Sequence, residues 1–97
     1  MKKYIIPLEK LPNQTIRVEL DGKNCNLTFI TRDGKTYLNE FDVEDEVVLC
    51  GVICLNETDI LKYQNFNGKL YFKDLNGYEE PYYTGFNDRF VLIYEVV

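Results

Sequence analysis

Hydrophobic and polar positions alternate in several short stretches of this chain. Ile16, Val18 and Leu20 fall on one side of Gln14–Leu20, and Thr15, Arg17 and Glu19 on the other. Cys25, Leu27 and Phe29 alternate in the same way with Asn24, Asn26 and Thr28, and Leu70 and Phe72 with Lys69, Tyr71 and Lys73. A period of two is that of a strand with one face buried. Asp21-Gly22 and Asp33-Gly34 join the first of these strands into hairpins, because both residue types tolerate positive φ. A third strand follows with Tyr37-Leu38 and Phe41 and ends in the acidic run Asp42–Glu46. Tyr4–Leu8 reads as a first strand, in which Pro7 demands an edge or strand-end position. Pro12-Asn13 and Asn76-Gly77 are further turn signals, and Asn67-Gly68 opens the strand Lys69–Asp74.

Val47–Leu55 breaks the alternation. It is the longest stretch without a charged residue. It predicts a strand buried on both faces, around which the others fold, with a buried helical segment as the competing reading. Val47, Val48, Val52 and Ile53 favour the strand, since branching at Cβ suits the pleated backbone. Gly51 suggests a bulge or a close backbone approach. Phe90–Val97 predicts a closing strand, apolar enough to be central or barrel-closing. Asn56–Tyr63 reads as a single helical turn or an irregular loop, and Pro81–Arg89 as an aromatic-rich loop. The expected fold is therefore all-β. It is one domain over residues 1–97, a small antiparallel β-sandwich or barrel built from hairpins, with at most one short helical turn.

Composition narrows the function. The net charge is −5, which argues against binding nucleic acid or anionic membranes through a basic face. No secretory leader, membrane-inserting segment or lipidation motif is recognisable, so a reducing cytoplasm is expected. Cys25, Cys50 and Cys54 are odd in number and fit buried small hydrophobes better than a disulfide framework. Were the strand regular, Cys50 and Cys54 would share a face yet stand about 13 Å apart, too far to bond.

Chemistry finds little support. With no histidine and no serine in the chain, the commonest general base and a serine nucleophile are both missing. No cysteine has a base or cation beside it in sequence to lower its pKa. Asp42–Glu46 lacks the glycine and downstream glutamate of a calcium loop, and reads as a solvated acidic turn. No cofactor or metal is expected. The loop Tyr82-Tyr83-Thr84-Gly85-Phe86 is the best candidate for function, because tyrosines give binding surfaces large contact area at small entropic cost. The alternative is that these rings fold back over the open end of the fold.

Beyond composition, Ile6-Pro7-Leu8, Pro12-Asn13-Gln14-Thr15-Ile16 with Val18, Leu20 and Asp21-Gly22, and Tyr37-Leu38 form a recognisable series. It continues through Gly51-Val52 with Leu55, Asp59-Ile60-Leu61 and Tyr63. It closes with Gly68-Lys69-Leu70-Tyr71-Phe72, Pro81, Tyr83, Gly85, Arg89 and Leu92-Ile93-Tyr94. In order and spacing the chain resembles the small baseplate plug family of tailed bacteriophages. It departs from many members at Tyr37, where they carry tryptophan, and at Val52, where they carry proline. The resemblance implies a non-enzymatic virion protein of the tail or baseplate, assembled in the bacterial cytoplasm. It implies packing against hub and tube proteins in several copies. Edge strands Lys3–Leu8 and the strand ending at Val97 are expected to extend a neighbour's sheet. Ile6, Leu8, Tyr82, Tyr83, Phe86 and Arg89 are the expected partner-binding residues. The competing class is a stand-alone protein- or glycan-binding β module.

Overall fold

A computed structural model describes residues 2–61 and 66–96. Four strands form one antiparallel sheet: β2 (Gln14–Leu20), β3 (Lys23–Arg32), β4 (Lys35–Val43) and β5 (Glu46–Ile53), in that spatial order. The other sheet has the order β1-β7-β6, with β1 at Lys2–Ile6, β6 at Gly68–Asp74 and β7 at Phe90–Val96. All pairings between these strands are antiparallel, and the two sheets make a sandwich.

The β2–β5 meander follows from local chemistry. Leu20 pairs with Lys23 and Arg32 with Lys35, so each Asp-Gly pair forms a two-residue turn. Both residues of each turn have positive φ, the geometry whose twist matches a hairpin. The acidic turn joins Val43 to Glu46 through Glu44 and Asp45, also at positive φ although neither is glycine. The N–H of Asn24 donates to Glu44 Oε1 at 3.1 Å, and the N–H of Glu44 to Asn24 O at 2.8 Å, which fastens that turn to β3. Alternation in β2, β3 and β6 emerges as expected, with Leu20, Cys25, Leu27, Phe29, Leu70 and Phe72 buried.

The core lies where the inner faces meet. Phe29 of one sheet meets Phe72 of the other edge-on, with ring centroids 5.6 Å apart. Leu27, Leu38 and Phe41 face Leu70, Leu92 and Tyr94 in the same cluster. Each such side chain contributes about 1.5–3 kcal/mol by leaving water.

The expectation fails at β5, while β7 takes the central place that its apolar run predicts. β5 is an edge strand, not the doubly buried centre: Val47 and Val48 are exposed, and only Leu49 and Val52 pack against the core. Its register shifts between Phe41 and Asp42 of β4, which leaves Val48 as an extra residue, and Gly51 sits at φ +65°. The centre is β7, whose Phe90–Tyr94 are all buried. β7 is therefore unavailable to extend a neighbour's sheet, whereas β1 is an edge as expected. Val97 lies outside the described residues. The helical turn also falls elsewhere. A 3-10 turn occupies Tyr83–Gly85, while the described part of Asn56–Tyr63, up to Leu61, is irregular. Tyr63 lies outside the described residues.

Candidate functional site

The aromatic loop is built around its own backbone. Gly85 N–H donates to Tyr82 O at 3.0 Å, and Arg89 N–H to Gly85 O at 2.9 Å, which curls the chain into a tight knot. A Cβ on Gly85 would stand 2.8 Å from the Phe90 ring, so the knot closes only with glycine there. Phe86 points inward and stacks on Phe72, with centroids 5.5 Å apart and planes 20° apart. Tyr82 and Tyr83 lie half-buried at the rim, their rings 4.8 Å apart.

Arg89 is held by β6. Its Nε and Nη2 donate to Asp74 Oδ1 and Oδ2 at 2.8 and 2.9 Å. The Asp74 side chain is wholly buried and also accepts from the N–H groups of Asn76 and Glu79. The Arg89 guanidinium holds the Asp74 carboxyl well below the usual carboxylate range, against the opposing effect of burial. A bidentate pair of this kind fixes geometry as well as charge, and here it closes the loop that leads from β6 to β7.

Asn87 ties the same loop to the start of the chain. At φ 70° its side-chain amide behaves like a strand neighbour of Leu8. Leu8 N–H donates to Asn87 Oδ1 at 3.0 Å, and Asn87 Nδ2 donates to Leu8 O. The Lys10 ammonium meets the Asp88 carboxylate alongside. Ile6 and Leu8 are thereby drawn into the core with Phe86. The six residues singled out from sequence thus converge on one end of the sandwich but divide in role. Ile6, Leu8 and Phe86 face inward, Tyr82 and Tyr83 stand at the rim, and Arg89 is already paired.

A second feature lies along β1, the edge strand expected to extend a neighbour's sheet. Between β1 and β2, the outer strands of the two sheets, runs a groove of about 430 Å³. Tyr4 and Ile5 stand on its β1 side, 53% and 64% exposed. Val18 and Leu20 line the β2 side, and Tyr94 its floor. The Tyr94 hydroxyl donates to Asp21 Oδ1 at 2.7 Å and accepts from Gly68 N–H, and its pKa is pushed up by burial and by that carboxylate. The one clue in sequence was Tyr4-Ile5 in a strand that Pro7 confines to an edge.

The cysteines differ in environment. Cys25 and Cys54 are buried, and desolvation raises both thiols, that of Cys54 to about 12. Cys50 is exposed, so the two cysteines of β5 and its end do not share an environment. Among the described residues no three acidic or cysteine side chains cluster as a metal site would require. No helix among them is long and apolar enough to cross a membrane.

The described residues thus form a small all-β sandwich with open sheet edges and an aromatic rim. Its family is specific. Residues 3–96 match the family described as Cyanophage baseplate Pam3 plug gp18. The chain belongs to that family, and its role is accordingly that of a phage baseplate structural protein. Comparison with curated proteins gives no match.

Proposed function

We propose that this protein is a plug-like component of a phage or prophage baseplate that packs against hub and tube proteins in several copies. Membership of the plug family over nearly the whole chain carries this reading. The surface supports it. Tyr4 and Ile5 are consecutive on β1, and Leu75 and Tyr78 lie close in sequence just after β6; all four are large, exposed apolar or aromatic side chains, and assembly would bury them.

Tyr82 and Tyr83 supply rim contacts in this reading. Arg89 keeps its guanidinium poised beside Glu79, whose Oε2 lies 3.4 Å from Nη2. Ile6, Leu8 and Phe86 serve from within by holding the loop in place. Assembly takes place in the host cytoplasm before the protein enters the virion.

Mass spectrometry of gradient-purified tail particles tests the proposal. Peptides of this chain at a fixed ratio to the tube protein are the expected result, and the ratio gives the copy number. A chain that is expressed yet absent from every particle would overturn it and would favour a stand-alone binding module.

A further inference from the structure

We infer that the groove between β1 and β2 receives an extended, apolar segment bearing basic residues, donated by a different baseplate protein. This rests on the proposed baseplate role and names the kind of partner one face would take.

Three observations carry it. The first is backbone. Among the described residues β1 pairs only with β7 and β2 only with β3, so each has one unpaired edge facing the groove. About half of the main-chain N–H and C=O groups of an antiparallel edge strand point outward, ready for an added strand. β1 offers five residues before Pro7 removes a donor and ends the ladder.

The second is that this sandwich already fills a seam with extended chain. On the opposite side, residues 54–61 run beside β6. Glu57 N–H donates to Phe72 O and Ile60 N–H to Leu70 O, both at 2.7 Å. The Asn56 and Asp59 side chains accept from Asp74 N–H and Leu70 N–H at 2.8 and 3.0 Å. What the chain supplies to that seam, a partner would supply to this one.

The third is charge. Glu19 and Asp21 line the groove and, among the described residues, no lysine or arginine does. Lys3 leans to the other face of its sheet, toward Glu95. An apolar strand with a lysine or arginine matches both the walls and the acidic rim. A second copy fits less well, although its own β1 carries Lys2 and Lys3. Two-fold pairing of β1 with β1 is antiparallel, and full overlap of Lys2–Ile6 would set Lys2 against Ile6 and Lys3 against Ile5, whereas Asp21 lies by Gly68, level with Lys2.

The test places p-benzoylphenylalanine at Tyr4, and in a control at Leu75, in the gene carried by the phage, followed by irradiation of purified tail particles. Mass spectrometry first reads whether the chain is present; its absence overturns this inference together with the baseplate role. With the chain present, the expected result is a Tyr4 cross-link to another particle protein, within an extended apolar segment containing lysine or arginine. The control should not reach that segment. A cross-link only to a second copy, to an acidic or helical segment, or to nothing overturns the inference and leaves the baseplate role standing. Glu19→Lys gives a second reading. Incorporation should fall at least fivefold while the melting temperature stays within a degree or two of wild type, and wild-type incorporation would overturn the charge match.

Discussion

On one side of the sandwich the gap beside β6 is filled by the chain's own residues 54–61; on the other, the gap between β1 and β2 stands open. Both are places where the two sheets part. In the filled seam, N–H groups of Glu57 and Ile60 meet β6 carbonyls, and Ile60 and Leu61 are buried. In the open one, Tyr4 and Ile5 face solvent. The filled seam serves the stability of the isolated chain. The open seam contributes little to it and leaves surface for something else. That difference separates residues buried in holding the fold from apolar residues left exposed.

Substitutions should bear the division out. The largest effect belongs to Phe72, which touches Phe29 and Phe86 and lies beside the filled seam. Phe72→Ala should cost roughly 3–5 kcal/mol in denaturant melts. A loss below about 1 kcal/mol would mean that the aromatic cluster is not the keystone of the core.

Asp74→Asn comes next, since it weakens the Arg89 pair at the end of β6. The wild-type carboxyl has a folded pKa below its unfolded value of about 4. Its contribution is therefore present above pH 4 and is lost as pH falls toward the folded value. Melting temperature measured from pH 6 down to pH 2 should fall more steeply for wild type than for Asp74→Asn, and equal slopes would contradict the pairing.

Asp59→Ala should follow. Asp59 Oδ1 accepts from Leu61 and Leu70 N–H groups at 2.9 and 3.0 Å, and leaving them without a partner costs about 1–3 kcal/mol. Hydrogen exchange should speed up at Leu70 more than in β2.

A smaller effect lies at Tyr71. Its hydroxyl donates to Glu95 at 2.6 Å, and burial together with that carboxylate raises its pKa to about 12. The stabilisation is complete below the unfolded pKa of about 10 and is lost as pH rises through the folded value. Tyr71→Phe should thus blunt alkaline destabilisation between pH 10 and pH 12, read as melting temperature against pH.

Smallest of all, Ile5→Ala in the open seam should change stability by less than about 0.5 kcal/mol. A cost near that of Asp59→Ala would mean that the open seam supports the fold after all.

Much of the fold was legible because it is local. The two Asp-Gly turns and the alternation of Ile16-Val18-Leu20, Cys25-Leu27-Phe29 and Leu70-Phe72 each depend on neighbours in sequence. Val47–Leu55 misleads because hydrophobicity alone cannot tell a strand between two others from one at an edge. The extra residue Val48 and the kink at Gly51 turn part of its apolar surface outward. The candidate site was legible only in part, since its fixing contacts are distant. Asn87 reaches Leu8 across 79 positions, and Arg89 reaches Asp74 across 15. No local pattern foretells that Phe86 folds inward while Tyr82 and Tyr83 stay at the rim.

The order β1-β7-β6 also dictates when the protein can fold. The β2–β5 meander consists of neighbouring hairpins and can form while translation proceeds, since local contacts close quickly. Its companion sheet cannot, because β7 stands between β1 and β6 and is made after both. Until β7 leaves the ribosome, β1 has no strand to join, and the apolar face of the meander waits uncovered. Nascent chains stalled before Phe90 should therefore be the ones that recruit chaperones or aggregate, and release of β7 is the step that turns a loose hairpin array into a protein ready to be built into a particle.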